Sequence, residues 1–224
     1  MQNKMEIKII KNGPYVVTGH VPLSGKIITP EGKCYKLKKG DRYPQGDEYC
    51  LCRCGESKTK PFCDGSHEDS GFDGTETADR DTFENRSVLY EGPGLDMRDD
   101  LRCACARFCH REEGNAWELI EKSDDPVCRE EAVKAACDCI SGRLVALDKE
   151  GIIIEPAHEP SIDIIQDPEK GVSGGIFVKG NIPIEGADGV SYEIRNRITL
   201  CRCGQAVEKP FCDGAHISVN FTDK

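Results

Sequence analysis

Two sixteen-residue stretches of this chain place the same four metal-donating side chains at the same intervals. Cys52, Cys54, Cys63 and His67 stand in Cys52-Arg-Cys54-Gly-Glu-Ser-Lys-Thr-Lys-Pro-Phe-Cys63-Asp-Gly-Ser-His67. Cys201, Cys203, Cys212 and His216 stand in Cys201-Arg-Cys203-Gly-Gln-Ala-Val-Glu-Lys-Pro-Phe-Cys212-Asp-Gly-Ala-His216. Three soft thiolates with one borderline imidazole suit zinc or iron–sulfur chemistry, not magnesium or calcium. A further cysteine group lies between the copies: Cys103, Cys105 and Cys109, then Cys137 and Cys139. Of the 14 cysteines, only Cys34, Cys50 and Cys128 fall outside these three groups. The first residues lack the apolar core of a secretory leader, so a reducing, cytoplasmic compartment is expected and metal ligation takes precedence over disulfides.

The elements that must position these groups are read from the chain in order. Ile7, Ile9, Tyr15-Val-Val-Thr and Val21-Pro-Leu predict short strands, punctuated by Gly13, Gly19 and Pro22. The same phrase returns at Gly175-Ile-Phe-Val-Lys-Gly-Asn-Ile-Pro-Ile. Pro22 precedes Cys52 by 30 positions and Pro183 precedes Cys201 by 18, so the first copy carries twelve extra residues in its turn region. This is an internal duplication with an insertion in a surface turn. We expect a first repeat over 1–75, an acidic linker over 76–100, a cysteine-bearing middle domain over 101–160 and a second repeat over 161–224. Residues 68–100 hold eleven acidic side chains against Arg80, Arg86 and Arg98, which reads as solvated connection, although Ser87-Val-Leu-Tyr has strand character. The middle domain should contain helices from Trp117 and from Asp125-Pro, then a hairpin joining Leu144–Leu147 to Ile152–Ile154.

Composition removes several function classes. A net charge of −10 disfavours nucleic acid and anionic membrane surfaces as partners. No apolar run is long enough to span a bilayer. Neither a phosphate-cradling glycine loop nor a nucleophile elbow is present, so no enzyme activity is expected.

The twin blocks resemble the signature of the CDGSH iron–sulfur (mitoNEET-like) family, Cys-x-Cys-x2-Ser/Thr-x3-Pro-x-Cys-Asp-Gly-Ser/Ala/Thr-His. The first block fits throughout, whereas the second has Ala206 where the family has Ser or Thr. The resemblance implies a 2Fe-2S cluster on Cys52, Cys54, Cys63 and His67, and another on Cys201, Cys203, Cys212 and His216. Single-block members resemble homodimers with swapped strands, so a tandem copy implies a monomer folded as an intramolecular pseudo-dimer. The spacing suits this. Cys-x-Cys on extended backbone points both thiolates one way, onto one iron. Cys and His four apart share a face for the other iron if a helix starts at Asp64 or Asp213, which are expected to cap it. One imidazole in place of a thiolate raises the potential and makes the site acid-labile.

Cys103-Ala-Cys105-Ala-Arg-Phe-Cys109 followed by Cys139-Ile-Ser-Gly-Arg-Leu is similar to a divergent single-cluster ferredoxin domain. That resemblance implies a 3Fe-4S or 4Fe-4S cluster on Cys103, Cys109 and Cys139, with Cys105 or Cys137 as the fourth thiolate. The expected fold is therefore α+β: two β-rich repeats paired with each other, plus a small α/β ferredoxin-like domain. Electron transfer among redox proteins is the leading function. Transfer of clusters to apo-iron–sulfur acceptors is the alternative, and a zinc-bound interaction scaffold is a third reading.

Overall fold

The structure is a computed structural model, and it describes residues 4–44 and 46–223. The first repeat runs through β1 (Glu6–Ile9), β2 (Tyr15–Thr18), β3 (Leu23–Glu31), β4 (Cys34–Arg42) and β5 (Glu48–Leu51). A short helix α1 (Phe83–Arg86) leads to β6 (Val88–Glu91) and β7 (Asp96–Asp99), followed by the two-residue strands β8 (His110–Arg111) and β9 (Gly114–Asn115). Helices α2 (Ala116–Glu121) and α3 (Pro126–Cys137) precede β10 (Leu144–Leu147) and β11 (Ile153–Ile154). The second repeat contains β12 (Ser161–Asp167), β13 (Val172–Lys179), β14 (Ile184–Glu185), β15 (Arg197–Leu200) and α4 (Ala215–Ser218).

The repeats exchange strands. One sheet has the order β14-β1-β2-β5 and the other β15-β13-β12-β3-β4. Thus β14 of the second repeat pairs in parallel with β1, and β3 of the first pairs in parallel with β12. The two sheets close on a single apolar core that includes Ile7, Tyr15, Leu51, Ile164, Ile176 and Leu200. This is the expected pseudo-dimer: neither repeat completes its own sheet, so each supplies the edge that the other lacks. The twelve-residue insertion forms the long β3–β4 hairpin.

Burial shows where the symmetry breaks. β1 and β2 alternate between buried and partly buried positions, as one-sided strands do. β13 is buried at seven successive positions and β15 at all four. Their second face is covered by the middle unit, where Phe177 and Cys212 join Ala104, Ala106, Phe108 and Ile140 in one cluster.

The middle unit is larger than its expected span of 101–160. Its sheet has the order β11-β10-β7-β6, so it begins at Val88 and takes in part of the stretch expected as linker. Several acidic side chains there are satisfied within the fold rather than solvated. Asp99, fully buried, accepts from both Arg143 Nε and Nη2 at 2.6 and 2.7 Å and from Trp117 Nε1 at 3.2 Å. Asp100 accepts from Arg86, and Glu76 from the Tyr192 hydroxyl at 2.6 Å. A buried carboxylate with a matched guanidinium is structure, not linker. The helices and hairpin of this unit lie where the sequence places them: Asp125 caps α3 through Val127 and Cys128 N–H, and Asn115 and Glu118 form a capping box on α2.

Candidate metal centres

Each block is built the same way. β5 and β15 end one residue before the first ligand, and the chain then loops back so that Cys52 N–H donates to Pro61 O and Cys201 N–H to Pro210 O, both at 2.8 Å. Cys63 N–H returns to Cys50 O and Cys212 N–H to Thr199 O, both at 2.9 Å, which fixes the second half of each site to the strand that carries the first half. The four donors then stand as two pairs. Cys52 Sγ and Cys54 Sγ are 3.7 Å apart, and Cys63 Sγ lies 3.4 Å from His67 Nδ1. In the second block the matching separations are 3.6 and 3.5 Å. Among the described residues no group of three or more His, Cys, Asp or Glu gathers as it would around a single ion. Two donor pairs, each able to grip one metal, fit a dinuclear cluster.

The expected helix at the second pair forms only in part. Residues 64–70 are turns in the first block, and the second block has the single-turn α4. Asp64 and Asp213 do more than cap. Asp64 Oδ1 accepts from Ser66 N–H at 3.0 Å while Oδ2 accepts from Lys58 N–H at 2.7 Å. Asp213 accepts from Ala215 and Val207 N–H at the same distances, 3.0 and 2.7 Å. Each carboxylate therefore staples the ligand loop to the ligand turn. The Ser66 hydroxyl, followed by backbone N–H groups, holds the Asp64 carboxyl well below its usual range.

In each Cys-x-Cys pair one thiol is prepared for ionisation by the other, which stays protonated as its donor. Hydrogen bonding from Cys54 lowers Cys52 to about 6, assisted by the Ser57 and Gly55 N–H groups. Cys203 lowers Cys201 to about 6 in the same way, with Ala206 N–H contributing. Burial pushes the Cys63 thiol up.

Several side chains around these sites carry more than sequence reasoning assigned them. Arg53 and Arg202, each between two ligand cysteines, are buried rather than solvated. Arg53 Nη2 donates to Gly74 O at 2.6 Å, and Arg202 Nε donates to Gly174 O at 2.7 Å. Their identical position in both copies is the signal that marks them. The Ser57 hydroxyl donates to Phe62 O at 2.6 Å and accepts from Thr59 N–H at 3.1 Å, bracing the loop. Ala206 removes that brace, yet its N–H still serves Cys201.

The two sites differ in exposure. Cys63 and His67 are half-buried, whereas Cys212 and His216 are each 4% exposed. The first site faces outward; the second is enclosed by the middle unit.

The middle unit brings together Cys103, Cys109 and Cys139 around one small cavity that is also lined by Phe108, Trp117 and Arg143. Two expected candidates do not line that cavity. Cys105, with a left-handed φ of 56°, holds its thiol against both Cys103 and Gly214, and Cys137 donates its thiol to Ile154 O, 3.7 Å away. The register of a Cys-x-Cys turn depends on its backbone conformation, which spacing alone does not fix. The Cys105 thiol, its N–H at 3.3 Å and Arg143 together lower Cys103 to about 5, while burial pushes Cys109 up to about 11. Of the remaining histidines, His158 is half-buried against Phe177, not exposed as the sequence suggests.

A chain with two equivalent three-thiolate, one-imidazole centres on interlocked sheets is a tandem metal-centre protein. Residues 12–68 and 173–217 both match the family model described as iron-binding zinc finger, CDGSH type. The chain thus carries two CDGSH-type domains in tandem, and those domains indicate iron binding of the 2Fe-2S type. No curated protein and no solved structure matches it. Among the described residues no helix is long and apolar enough to cross a membrane.

Proposed function

We propose that this is an electron-transfer protein with a 2Fe-2S cluster at each CDGSH block and a third cluster, 3Fe-4S or 4Fe-4S, at Cys103, Cys109 and Cys139. The observation that carries this reading is the grouping of donors: two pairs in each block, and three thiols around one cavity in the middle unit. Such clusters supply one-electron chemistry when bound. The chain's own residues tune it: His67 and His216 reduce the negative charge of their sites and so favour reduction relative to an all-thiolate site. Arg143 beside Cys103 places a positive charge against the third site. Three thiols line the cavity of the third site, with Cys105 held against Cys103 as its hydrogen-bond partner, which suits an incomplete cubane or a four-iron cluster whose last iron takes a further ligand. On this reading the protein is not an enzyme. It acts as a cytoplasmic monomer and meets redox proteins rather than nucleic acid or membrane.

Iron and acid-labile sulfide analysis of anaerobically purified protein, combined with electron paramagnetic resonance of its oxidised form, tests this. A 3Fe-4S centre gives a signal in that state, whereas 2Fe-2S and 4Fe-4S centres are silent. A colourless protein containing zinc and no labile sulfide would replace the proposal with the scaffold reading.

A second reading, donation of clusters to apo-proteins, is favoured by the half-exposed Cys63 and His67 of the first site. Mixing with an apo-ferredoxin separates the two. Prompt movement of the visible absorbance to the acceptor marks a donor; retention with reversible reduction marks a relay.

A further inference from the structure

The middle unit does not sit between the two CDGSH blocks. It is fused to the second one. Its cysteine loop wraps the Cys-Asp-Gly turn of that block so closely that a methyl group added at Gly214 would meet Cys105 Sγ at 2.5 Å. The equivalent Gly65 of the first block has nothing within 4 Å. Thr199, on the strand leading into Cys201, donates its hydroxyl to Ile140 O at 2.9 Å, and Ile140 follows the third-site ligand Cys139. The carbonyl of the same Thr199 accepts from Cys212 N–H at 2.9 Å. Two hydrogen bonds and a few covalent bonds therefore join Cys139 to Cys212. The position of Thr199 in the first block is held by Cys50. Cys50 O also accepts from Cys63 N–H, but among the described residues the Cys50 thiol makes no hydrogen bond like that of Thr199 to the middle unit.

The two CDGSH sites meet each other by a different route. A methyl group at Gly55 would lie 2.7 Å from Cys203 O, and one at Gly204 would collide with Cys54 O, so the backbones beside the ligands Cys54 and Cys203 are in direct contact.

We propose that the third site and the second CDGSH site are one coupled redox pair, joined by the path Cys139–Ile140–Thr199–Cys212, and that the first CDGSH site exchanges electrons with the third only through the second. This rests on the reading of Cys103, Cys109 and Cys139 as a cluster site. In each step one electron leaves the donor site and enters the acceptor site, and no bond forms or breaks. A one-electron donor protein starts the sequence and an acceptor of the same class ends it. The order also follows from exposure: the enclosed second site suits an internal station, and the half-exposed first site suits exchange with a partner.

The test uses the full holo-protein, reduced with less than one equivalent of dithionite and followed by rapid freeze-quench electron paramagnetic resonance. In the parent protein, fast redistribution is expected between the third and second sites, with magnetic broadening of the third-site signal by the second. Thr199→Val keeps every ligand and the side-chain volume, and it should lose the fast phase while all static spectra remain. Cys50→Val, at the matching position of the first block, should retain it. Cys63→Ser should leave the broadening in place, and Cys212→Ser should abolish it. An unchanged fast phase in Thr199→Val, or broadening that disappears with Cys63→Ser, overturns the path and the order while leaving the third cluster standing. Iron analysis that accounts for only two 2Fe-2S clusters removes the third-site reading, and this proposal with it.

Discussion

Arg197 Nη1 donates to Cys139 O at 2.7 Å, and so a buried guanidinium on the second repeat's β15 binds the backbone of a third-site ligand. The same guanidinium reaches Ala136 and Cys137 O at the end of α3, Leu144 O on β10, and the carboxylate of Glu155. One side chain thus gathers the C-terminal carbonyls of a helix, a strand and a ligand loop onto the second CDGSH block. Carbonyls at a helix end are unpaired within the helix, and a cation there satisfies them.

Replacing Arg197 by Met should therefore cost more than a surface ion pair. It takes the charged donor away from four carbonyls and leaves the Glu155 carboxylate with Asn196 Nδ2, so a loss of about 3 kcal/mol in urea unfolding is expected. Glu155→Gln, which keeps a hydrogen-bond acceptor for the guanidinium, should lose less. Equal losses from the two variants would mean that Arg197 acts through the ion pair alone.

Ser57→Ala should destabilise the protein by about 1–2 kcal/mol, because it leaves Phe62 O without its side-chain donor. The absorption spectrum of the first site should be preserved, since the Ser57 backbone N–H that favours the Cys52 thiolate is untouched. A large spectral shift would place the hydroxyl at the cluster instead.

Chelation should proceed in two phases. The fast phase belongs to the half-exposed Cys63 and His67, the slow one to Cys212 and His216 at 4% exposure. Cys63→Ser should delete the fast phase from an iron-chelator time course. A single rate for all iron would mean that access does not govern release.

His67→Cys and His216→Cys should each lower the reduction potential of their own site and leave the other site unchanged, because a thiolate adds negative charge where imidazole is neutral. Redox titration of both variants checks this. An unshifted potential would remove the histidine from the ligand set of that block.

His158 supplies a pH signature of folding. Burial, then the charges of Lys179 and Arg197, hold its pKa below the usual imidazole value. The unfolded chain takes up this proton first as pH falls, so its contribution to stability is present above about pH 6.5 and is lost as pH drops toward the folded value. His158→Gln should reduce the difference between urea midpoints measured at pH 7.5 and 5.5. An unaltered difference would assign the pH dependence to other groups.

The chain by itself singled out the four donor side chains of each CDGSH block, because three thiols and an imidazole at fixed short intervals constrain one another wherever the chain runs. It also determined the duplication and the position of the insertion, since Gly19 and Pro22 recur as Gly180 and Pro183. The helix from Asp125-Pro was legible because capping is local. What only the tertiary structure decided depends on contacts between distant residues. The acidic stretch at 76–100 looks solvated until Arg143, supplied from elsewhere in the fold, neutralises Asp99 and the chain folds back to set Arg86 on Asp100. Cys105 looks equivalent to Cys103 and Cys109 until its left-handed backbone sets its sulfur against Gly214 and outside the lining of the cavity that those two share with Cys139. The blocks look equivalent until the middle unit covers β13 and β15 and leaves β2 and β5 one-sided. Ligand chemistry is written in spacing of a few residues, whereas burial, pairing and proximity between sites arise only when remote segments meet.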